Sequence, residues 1–406
     1  MTKDSYLKKN EQLALRYSEF VRAGYAGFLK TNNIVKSYKI YGNNHSHTFF
    51  GYYDLPQISP NGKRMLLIKT TKNANPSVDT AQIYYIDLED DSWHFISTTH
   101  AWCWQQGCRL RWINKSSRFI VFNDMIKEKY VSIVWDVDNN KMVKEYPYAF
   151  YDVDFDNNIG IGLDFSRLQT MRPGYGYSSI EDTSKFLIAP EKGIYTYDMN
   201  IGVYKEIISL KELASEVQSS DDDFHYINHI CISPDHNKFM FFHLWAKDGI
   251  SMWKMRLMLS DYKGNYSVLE NKDIISHYCW LDNTKLLVSK ICSENERCFV
   301  IYDVETGKKE LVNNPNLVQD GHPVWIGKHK MLIVDTYPLS NCVQKLFMTS
   351  IENSNEYIEI IRAFSDPRLY IEHRCDMHPR VYADKRMISI DSTFSDGVRK
   401  CILLKM

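Results

Sequence analysis

The sequence predicts an all-β protein, a seven-bladed β-propeller of four-stranded blades with a short N-terminal helical segment. The first observation is a repeat of one unit, which consists of an apolar run, a polar turn and a second apolar run. The unit occurs seven times, at 51–70, 107–124, 151–167, 225–245, 275–292, 320–338 and 374–394. The second observation is that further strand-like runs ending in turns lie between these units and supply a second hairpin to each. Two hairpins per unit give four strands per blade. A two-sheet sandwich or two smaller barrels is the alternative.

The N-terminal stretch differs from the repeats. In EQLALRYSEFVRAGYAGFLK (11–30), apolar residues recur at helical spacing. We therefore assign residues 1–40 to a helical extension and residues 41–406 to the propeller. A second helix is expected at the start of the polar insert 209–224.

Composition excludes several function classes. The 406 residues carry a net charge of −1, so nothing indicates a nucleic-acid partner or a polybasic membrane patch. No window of eighteen apolar residues occurs, which predicts no transmembrane helix. The first residues lack the apolar core and cleavage site of a signal peptide, which favours a cytoplasmic protein. The nine cysteines are then expected to be reduced, and the protein to be a monomer.

A histidine and an aspartate recur at one offset. His322 precedes Asp335 by thirteen residues, and His378 precedes Asp391 by thirteen. Residues placed symmetrically about a hairpin turn face each other at its open end, so these pairs are predicted neighbours. An aspartate after a strand also caps loops by accepting backbone N–H groups, and that structural role remains open for both. Two further pairs follow the same rule: His229 with His243, and Tyr151 with Asp164.

Histidines occupy equivalent positions in four successive units: His229, His277, His322 and His378. The first strand of each blade lines the channel of a propeller, so these side chains are expected to lie close together. A His/His/Cys set with a fourth donor suits tetrahedral Zn²⁺. We assign a zinc site to four residues: His229, His243, His277 and Cys279. Core histidines with satisfied hydrogen bonds, beside an ordinary buried thiol, are the alternative.

An acid–base group is predicted in YPYAFYDVDFDNNIGIGLDFSRLQTMRPGYGY (146–177). Tyr151 begins one channel strand and Arg167 follows the paired strand, so both are expected at one mouth. A guanidinium binds a carboxylate bidentately and favours phenolate character in a neighbouring tyrosine. A structural tyrosine–arginine stack is the alternative.

Six stretches carry a family resemblance: HTFFGYYD (47–54), AWCWQQG (101–107), LDFSRL with RPGYGY (163–177), INHICISPD (227–235), DGHPVW with VDTYP (320–338), and RCDMHPR with IDSTF (374–394). Together they resemble the seven-bladed propeller polysaccharide lyases, above all the ulvan lyases and more distantly the oligogalacturonate lyases. The likeness runs in order from about residue 45 to the C-terminus.

The resemblance implies cleavage of uronic-acid glycosidic bonds by β-elimination, with an acidic oligo- or polysaccharide as partner. It implies Tyr151 as base or acid and Arg167 as the group that neutralises the carboxylate. It also implies a structural zinc held by His229 and His243 with a cysteine from a neighbouring blade.

The sequence departs from that family near AWCWQQG. A catalytic histidine is expected there, yet Gln105 and Gln106 stand in its place. Glutamine transfers no proton, although it can bind a carboxylate or a hydroxyl. His100, just upstream, or His47 would then supply the missing group. We expect substrate contacts from seven side chains: Gln105, Gln106, Arg172, Tyr175, His322, Arg374 and His378.

Two functions follow. The first is a lyase acting on a uronate-containing oligo- or polysaccharide. The alternative is a non-catalytic propeller that binds a glycan or a protein, for example in polysaccharide biosynthesis, because fold does not decide function. A glycoside hydrolase needs two opposed carboxylates, and no pair is evident beyond the capping aspartates.

Overall fold

The strands form seven antiparallel sheets. The computed structural model describes residues 27–406 except 114, 220–221, 248–252 and 294–295. Within these residues, the strands of each sheet pair mainly with their neighbours in sequence. This architecture is a seven-bladed β-propeller, so the predicted fold class is confirmed. One sheet carries a fifth strand at its edge.

The strand bounds follow the chain. Two strands come first: β1 (Leu29–Thr31) and β2 (Ser37–Tyr41). The first sheet contains β3–β6: Ser46–Phe49, Arg64–Thr71, Ala81–Asp87 and Trp93–Thr99. The second contains β7–β10: Arg111–Trp112, Phe119–Ile126, Lys129–Asp136 and Lys141–Tyr146. The third contains β11–β14: Asp152–Asp154, Ile159–Gly162, Lys192–Asp198 and Val203–Ser209.

The remaining four sheets continue in the same way. The fourth contains β15–β18: Phe224–Ile232, Phe239–Ala246, Lys254–Ser260 and Tyr266–Glu270. The fifth contains β19–β22: Ile275–Trp280, Lys285–Ser293, Glu296–Asp303 and Lys309–Leu311. The sixth contains β1 and β23–β26: Pro323–Ile326, Met331–Asp335, Val343–Ser350 and Tyr357–Phe364. The seventh contains β2 and β27–β29: Arg380–Tyr382, Met387–Ser392 and Lys400–Lys405.

The predicted N-terminal helical extension falls mostly on residues 1–26, which lie outside the described residues. The rest of that extension contains strands. β1 pairs with β26, with Leu29 opposite Ala363, and β2 pairs with β29, with Tyr41 opposite Cys401. Each strand covers the edge of a sheet whose backbone groups would otherwise remain open to pairing. Pairing with these edges therefore overrides the helical spacing from residue 29 onward.

Helix α1 (Phe165–Met171) follows the third sheet's inner hairpin. Asp164 caps it, because its side chain accepts the backbone N–H of Arg167 at 2.9 Å. The predicted pairing of Tyr151 with Asp164 is wrong. The backbone N–H of Tyr151 donates to the carbonyl of Ile161 at 2.8 Å, and the chain has turned into the helix by Asp164.

Helix α2 (Leu210–Ser215) opens the insert 209–224, as predicted. Ser209 caps it by accepting the N–H of Glu212. No helix in the described part of the chain has the length and hydrophobicity that a bilayer crossing requires. Over the ranges that the structure describes, three single 3₁₀ turns occur, at Gly327–His329, Ile371–His373 and Ala383–Lys385.

The inner hairpins of the sixth and seventh sheets have the predicted register. Pro323 lies opposite Val334, so His322 faces Asp335. Arg380 lies opposite Ser389, and the same register brings His378 level with Asp391.

The predicted pairing of His229 with His243 is wrong. Ile227, two residues earlier, lies opposite His243. A register shift between Asn228 and Cys231 displaces the strand, and His229 within it has a left-handed φ of 56°. A bulge of this kind carries no signal in the spacing of apolar residues.

The first repeat unit is predicted to begin at residue 51, but its first strand, β3, ends at Phe49. Beyond Phe49 the ladder is interrupted, and a bridge between Ile58 and Met65 resumes the pairing. The apolar residues of GYYDLP (51–56) therefore lie in a loop and not in a strand.

The chain divides into two compact units. In the described residues, the first unit comprises Gln57–Leu66 and Ala74–Ile274, and the second comprises the residues up to Pro56 with Leu67–Asn73 and Ile275–Met406. Each unit has its own buried clusters. One in the first unit is formed by Tyr146, Phe150, Val153, Tyr197 and Met199. One in the second is formed by Leu287, Phe299, Val312, Leu317, Leu332, Val334 and Phe347.

Two of the nine cysteines form a disulfide. Cys292 on β20 and Cys298 on β21 are joined across one hairpin, six residues apart in sequence. The expectation of reduced thiols therefore fails at this pair, because the hairpin brings their side chains together. The other seven cysteines form no disulfide.

Candidate functional site

Three histidines converge in the second unit. His277 lies on β19, and His322 and His378 come just before β23 and β27. The ring centroids of His277 and His322 are 4.0 Å apart, and those of His322 and His378 are 4.4 Å apart. All three side chains are buried. Three of the four histidines that were predicted to lie close together therefore meet, whereas the fourth, His229, belongs to the first unit.

Asp335 makes direct contact with His322, thirteen residues earlier, and this contact explains the histidine–aspartate spacing in the sixth sheet. Its carboxylate accepts the backbone N–H of His322 at 2.7 Å and lies 2.9 Å from the ring Nδ1. It also accepts the backbone N–H of His378 at 3.0 Å. Because a carboxylate only accepts, Nδ1 of His322 carries a proton, and in the neutral ring the lone pair is on Nε2. Gly321 permits this approach, since a Cβ there would lie 1.9 Å from the Asp335 carbonyl oxygen.

His277 is oriented by a second carboxylate. Its Nδ1 lies 3.0 Å from Asp320, which also accepts hydrogen bonds from Ser276 at 2.6 Å and Ser289 at 2.9 Å. Arg297 pairs with the same carboxylate at 3.3 Å. The imidazole is therefore held with Nδ1 facing the Asp320 carboxylate, and its Nε2 lies 3.5 Å from the hydroxyl of Tyr337.

His322, Asp376 and His378 form a candidate metal centre. Their ligand atoms lie within 4.8 Å of one another. Nε2 of His322 and Nε2 of His378 are buried and make no hydrogen bond to any described residue, although such atoms normally have a partner. Two imidazole nitrogens and a carboxylate suit a divalent transition-metal ion, and the Asp335–His322 pair is the usual outer contact of a ligating histidine. These residues fit a metal ion.

Burial and charge set the protonation of the centre. Burial disfavours the charged form of His322, but the neighbouring Asp335 outweighs burial and raises the pKa of His322. Burial lowers the pKa of His378 well below its usual value, and the positive neighbours act in the same direction. Burial, with His322 next, also lowers the pKa of His277. His277 and His378 are therefore neutral near pH 7, as ligands must be, whereas the raised pKa of His322 opposes cation binding through its Nε2.

Two tyrosines of the loop after β3 cover the histidines. Tyr53 donates its hydroxyl to the carbonyl of Tyr278 at 2.8 Å and accepts the N–H of the same residue at 3.1 Å. Its ring centroid lies 5.1 Å from that of His322, and the ring of Tyr52 lies 4.8 Å from that of His378. The loop that follows β3 therefore places two aromatic rings against the three histidines.

Asp391 has a structural role. It pairs with Arg380 at 3.0 Å and accepts the backbone N–H of Phe50 at 3.4 Å. His378 faces Asp391 in register, but its backbone N–H bonds to Asp335 instead.

A second polar group lies in the first unit. The hydroxyl of Tyr151 is 3.4 Å from Nδ1 of His229. The guanidinium of Arg109 lies 4.2 Å from the centroid of the Tyr151 ring, and its Nε donates to the Tyr151 carbonyl at 2.8 Å. His229 holds a left-handed backbone conformation, which is uncommon for a residue with a side chain. A buried tyrosine–histidine pair of this kind can move a proton between its two side chains.

Arg172 is placed to bind an anion. Its guanidinium lies 4.1 Å from the ring centroid of Trp253 and 5.2 Å from that of Tyr175. The ring of Tyr175 in turn meets the ring of His229 edge-on at 5.7 Å. The side chain of Arg172 is half-buried, and it makes no hydrogen bond or ion pair with any described residue. Stacked faces and unused N–H donors make a preorganised carboxylate receptor.

Arg167 does not have the predicted geometry. It is buried, and its guanidinium donates to the carbonyls of Ser184, Leu187, Ile188 and His225 at 2.8–3.1 Å. Asp182 adds an ion pair at 3.7 Å. These contacts hold the loop at 184–188, so a substrate carboxylate could bind only by displacing them.

The glutamines of the AWCWQQG motif are buried in the first unit. Gln106 donates from Nε2 to Asn228 at 3.3 Å, and its Oε1 is buried with no hydrogen bond to a described residue. The backbone N–H of Gln105 donates to the carbonyl of Gly174 at 3.1 Å. The amide oxygen of Gln106 is therefore available to accept a ligand hydroxyl.

His47 and His100 are the two histidines proposed to replace a missing catalytic group. Both ring nitrogens of His47 serve the backbone: Nδ1 accepts the N–H of Arg399 and Nε2 lies 3.0 Å from the carbonyl of Lys72. His100 is half-buried, and its ring makes no hydrogen bond with a described residue. Proton transfer by His47 would require loss of its backbone contacts.

The predicted zinc set is not brought together. His243 lies 3.0 Å from Nδ1 of His225, and Arg256 donates to its Nδ1 at 3.1 Å. Since arginine only donates, the Nε2 of His243 carries the proton and donates to His225. Cys279 packs against a hydrophobic cluster of the fifth and sixth sheets. The register shift at 228–231 takes His229 out of the position opposite His243, and among the described residues these four side chains do not form a group of close ligand atoms.

Acid should destabilise the fold through two of the buried histidines. Burial is the main cause that lowers the pKa of His47 and of His225 from 6.5 to about 4. The unfolded chain therefore binds more protons between these values. The stabilisation is complete above pH 6.5 and is lost as the pH falls through 4, at a cost of up to about 3 kcal/mol for each histidine. The raised pKa of His322 acts in the opposite direction, because that contribution is present below pH 6.5 and lost at higher pH.

Urea unfolding at a series of pH values measures this effect. The His47→Gln variant should show a shallower fall of the unfolding free energy between pH 6.5 and pH 4 than the parent. The exposed His329→Gln change serves as the control and should leave the slope unaltered. Equal slopes for the parent and His47→Gln would contradict the assignment.

Sequence reasoning missed several residues of the site. Asp376 precedes His378 by two residues, and that spacing places both side chains on one side of an extended chain, so this signal was available. Tyr52 and Tyr53 lie within the motif HTFFGYYD, and nothing in its spacing marks them as neighbours of the histidines. Trp253 carried no signal, because its stacking on Arg172 depends on tertiary structure.

Comparison with known proteins supports the fold. No family model and no curated protein matches the sequence. An oligogalacturonate lyase from Vibrio parahaemolyticus superposes with a TM-score of 0.64 at 12% identity, over 94% of this chain and 98% of that chain. A chain of a mitotic checkpoint complex superposes with a TM-score of 0.50 at 10% identity, over 93% of each chain. At these identities the likeness concerns the seven-bladed propeller alone, and a link to ulvan lyases is not shown.

Proposed function

We propose that the protein is a lyase that cleaves a uronic-acid-containing oligo- or polysaccharide by β-elimination. The observation that carries the proposal is the first-unit group, in which Arg172 stacks against Tyr175, and Tyr175 against the Tyr151–His229 pair. A cation whose N–H donors bond to no described side chain or carbonyl, beside a proton-transfer pair, is the arrangement that this reaction needs.

The reaction has defined proton and electron movements. A base removes the proton from C5, the electrons of that bond form the C4–C5 double bond, and the bond from C4 to the glycosidic oxygen breaks. An acid protonates the departing oxygen. The C5 proton is acidic enough only when the charge of the adjacent carboxylate is neutralised, because negative charge otherwise accumulates on one group.

The residues of the first unit fit these roles. Arg172 would bind the uronate carboxylate, a role that the sequence assigned to Arg167. Tyr151 and His229 would exchange the transferred proton across their 3.4 Å contact. The buried Oε1 of Gln106 would accept a sugar hydroxyl and orient the ring.

The second unit adds a metal centre to the proposal. His322, Asp376 and His378 would hold a divalent cation, with His277 as a further donor. Asp335 would keep His322 in the tautomer that presents Nε2, and Tyr52 and Tyr53 would exclude water from the histidines. The fold of the Vibrio oligogalacturonate lyase supports the uronate class as the first substrates to test.

A spectroscopic assay tests the proposal. The protein would be incubated with oligogalacturonates, ulvan and other uronate glycans, with added divalent metal and after chelation. The expected result is the ultraviolet absorbance of an unsaturated uronate product, reduced after chelation. Neutral glycans serve as the control substrates, and reducing ends formed without this absorbance would indicate hydrolysis and reject elimination.

A non-catalytic glycan-binding propeller is the second candidate. It is favoured by Gln105 and Gln106, which stand where the lyase resemblance implies a catalytic histidine. Binding of a uronate glycan without any unsaturated product, in the presence of metal, would select this function.

A further inference from the structure

Asp376 already has a cationic partner. The guanidinium of Arg374 donates hydrogen bonds to both carboxylate oxygens of Asp376. Its Nε lies 2.8 Å from Oδ1 and 2.9 Å from Oδ2, and its Nη2 lies 2.7 Å from Oδ2. Asp376 is 1% exposed, whereas 28% of the Arg374 side chain is exposed. The carboxylate of the candidate metal centre is thus neutralised, in this structure, by an arginine that reaches the surface.

A divalent cation and Arg374 act on the same negative charge. An ion held by Asp376, His322 and His378 would lie within a few ångströms of the guanidinium, and like charges at that distance repel strongly in a buried setting. Cation binding therefore weakens the ion pair between Asp376 and Arg374. Conversely, the Arg374–Asp376 pair opposes cation binding.

The position of Arg374 favours its remaining near the centre after Asp376 is engaged by a cation. Its guanidinium lies 5.1 Å from the ring centroid of Tyr337, and the Tyr337 hydroxyl is 3.5 Å from Nε2 of His277. The ring face attracts the guanidinium without using its N–H donors. An arginine on this face can present a two-pronged edge to a carboxylate.

We propose that Arg374 is a carboxylate-binding residue under the control of the cation. With no cation it is paired with Asp376; with a cation on Asp376 it binds the carboxylate of an acidic sugar. Cation and uronate then bind with positive cooperativity, which by linkage is the same in both directions. The inference rests on the proposed metal centre, and it is independent of whether the bound sugar is cleaved.

Titration calorimetry with Zn²⁺ tests the competition. The Arg374→Gln variant should bind Zn²⁺ about tenfold more tightly than the parent, because the competing charge is removed. The Arg374→Lys variant keeps the charge and should bind Zn²⁺ as the parent does, or at most slightly more tightly. If Arg374 merely supported Asp376 as an outer contact, its removal would weaken Zn²⁺ binding by about tenfold to a hundredfold, and the proposal would fail.

Titration with galacturonate tests the coupling. The affinity of the parent for galacturonate should rise about tenfold when Zn²⁺ is present, and that of Arg374→Gln should not change. Neutral galactose serves as the ligand control, and Arg362→Gln, an exposed arginine paired with Glu359, serves as the protein control.

The possible failures are distinguishable. A parent that binds no Zn²⁺ overturns both the metal centre and this inference. A parent that binds Zn²⁺ but has the same galacturonate affinity with and without it overturns the coupling alone. Coupling without any unsaturated product leaves the inference standing and rejects the lyase.

Discussion

Replacing Arg172 with glutamine is expected to lower kcat/KM for a uronate glycan by about a hundredfold to a thousandfold. Neutralisation of the substrate carboxylate is lost, and the loss of one such positioned donor typically costs about 3–4 kcal/mol of transition-state stabilisation. The fold should be preserved, because the guanidinium stacks on Trp253 and Tyr175 and forms no hydrogen bond with a described residue. Steady-state kinetics from the ultraviolet absorbance of the product, together with thermal unfolding, provide the measurement.

Two matched variants define the control. Arg118→Gln removes another arginine of the first unit, one that is 48% exposed and paired with Asp136, and it should leave kcat/KM unchanged. Arg167→Gln should instead lower the melting temperature, since four backbone carbonyls lose their donor. An Arg172→Gln enzyme with full activity, or an inactive Arg167→Gln enzyme with normal stability, would return the carboxylate role to Arg167.

Replacing Asp335 with alanine should have the largest effect on stability. The carboxylate is 1% exposed and accepts the backbone N–H groups of His322 and His378 and the ring N–H of His322. Its removal leaves buried donors without an acceptor and leaves the charged form of His322 without its counter-ion. Breaking one side of such a buried pair costs about 3–5 kcal/mol.

Urea unfolding of Asp335→Ala measures that cost, and calorimetry of the same variant measures Zn²⁺ binding. We expect both stability and Zn²⁺ affinity to fall, since His322 loses the contact that orients its ring. Asp384→Ala, an exposed change in the turn between β27 and β28, is the control and should alter neither. Unchanged Zn²⁺ affinity in Asp335→Ala would place the metal elsewhere.

The fold could be predicted because its information is local. Alternating apolar residues and turn-forming residues repeat along the chain. In each regular hairpin, two residues at a fixed sequence separation face each other across the two strands, as His322 and Asp335 do. The convergence of His277, His322 and His378 follows from the same repetition. Position in a repeat is therefore a good guide to a site wherever the inner hairpins are regular.

The rest of the site depends on features that a repeat does not encode. The bulge at 228–231 turns His229 away from His243, and left-handed backbone at His229 and His378 has no sequence signature here. The break after β3 moves Tyr52 and Tyr53 out of a strand. The contacts of Arg167 could not be predicted, because its acceptors are main-chain carbonyls of a distant loop and every residue type provides those.

The pairing of β2 with β29 has a consequence for the order in which the chain folds. Ser37 lies opposite Lys405, so the seventh sheet joins segments that are far apart in the sequence. Contacts of such high sequence separation form slowly, because the loop-closure entropy must be overcome before they contribute any stability. On the ribosome, β2 emerges long before β29 and remains without this partner until β29 has been synthesised. During that interval it is an unpaired strand able to associate with other chains, and completion of the seventh sheet ends that exposure.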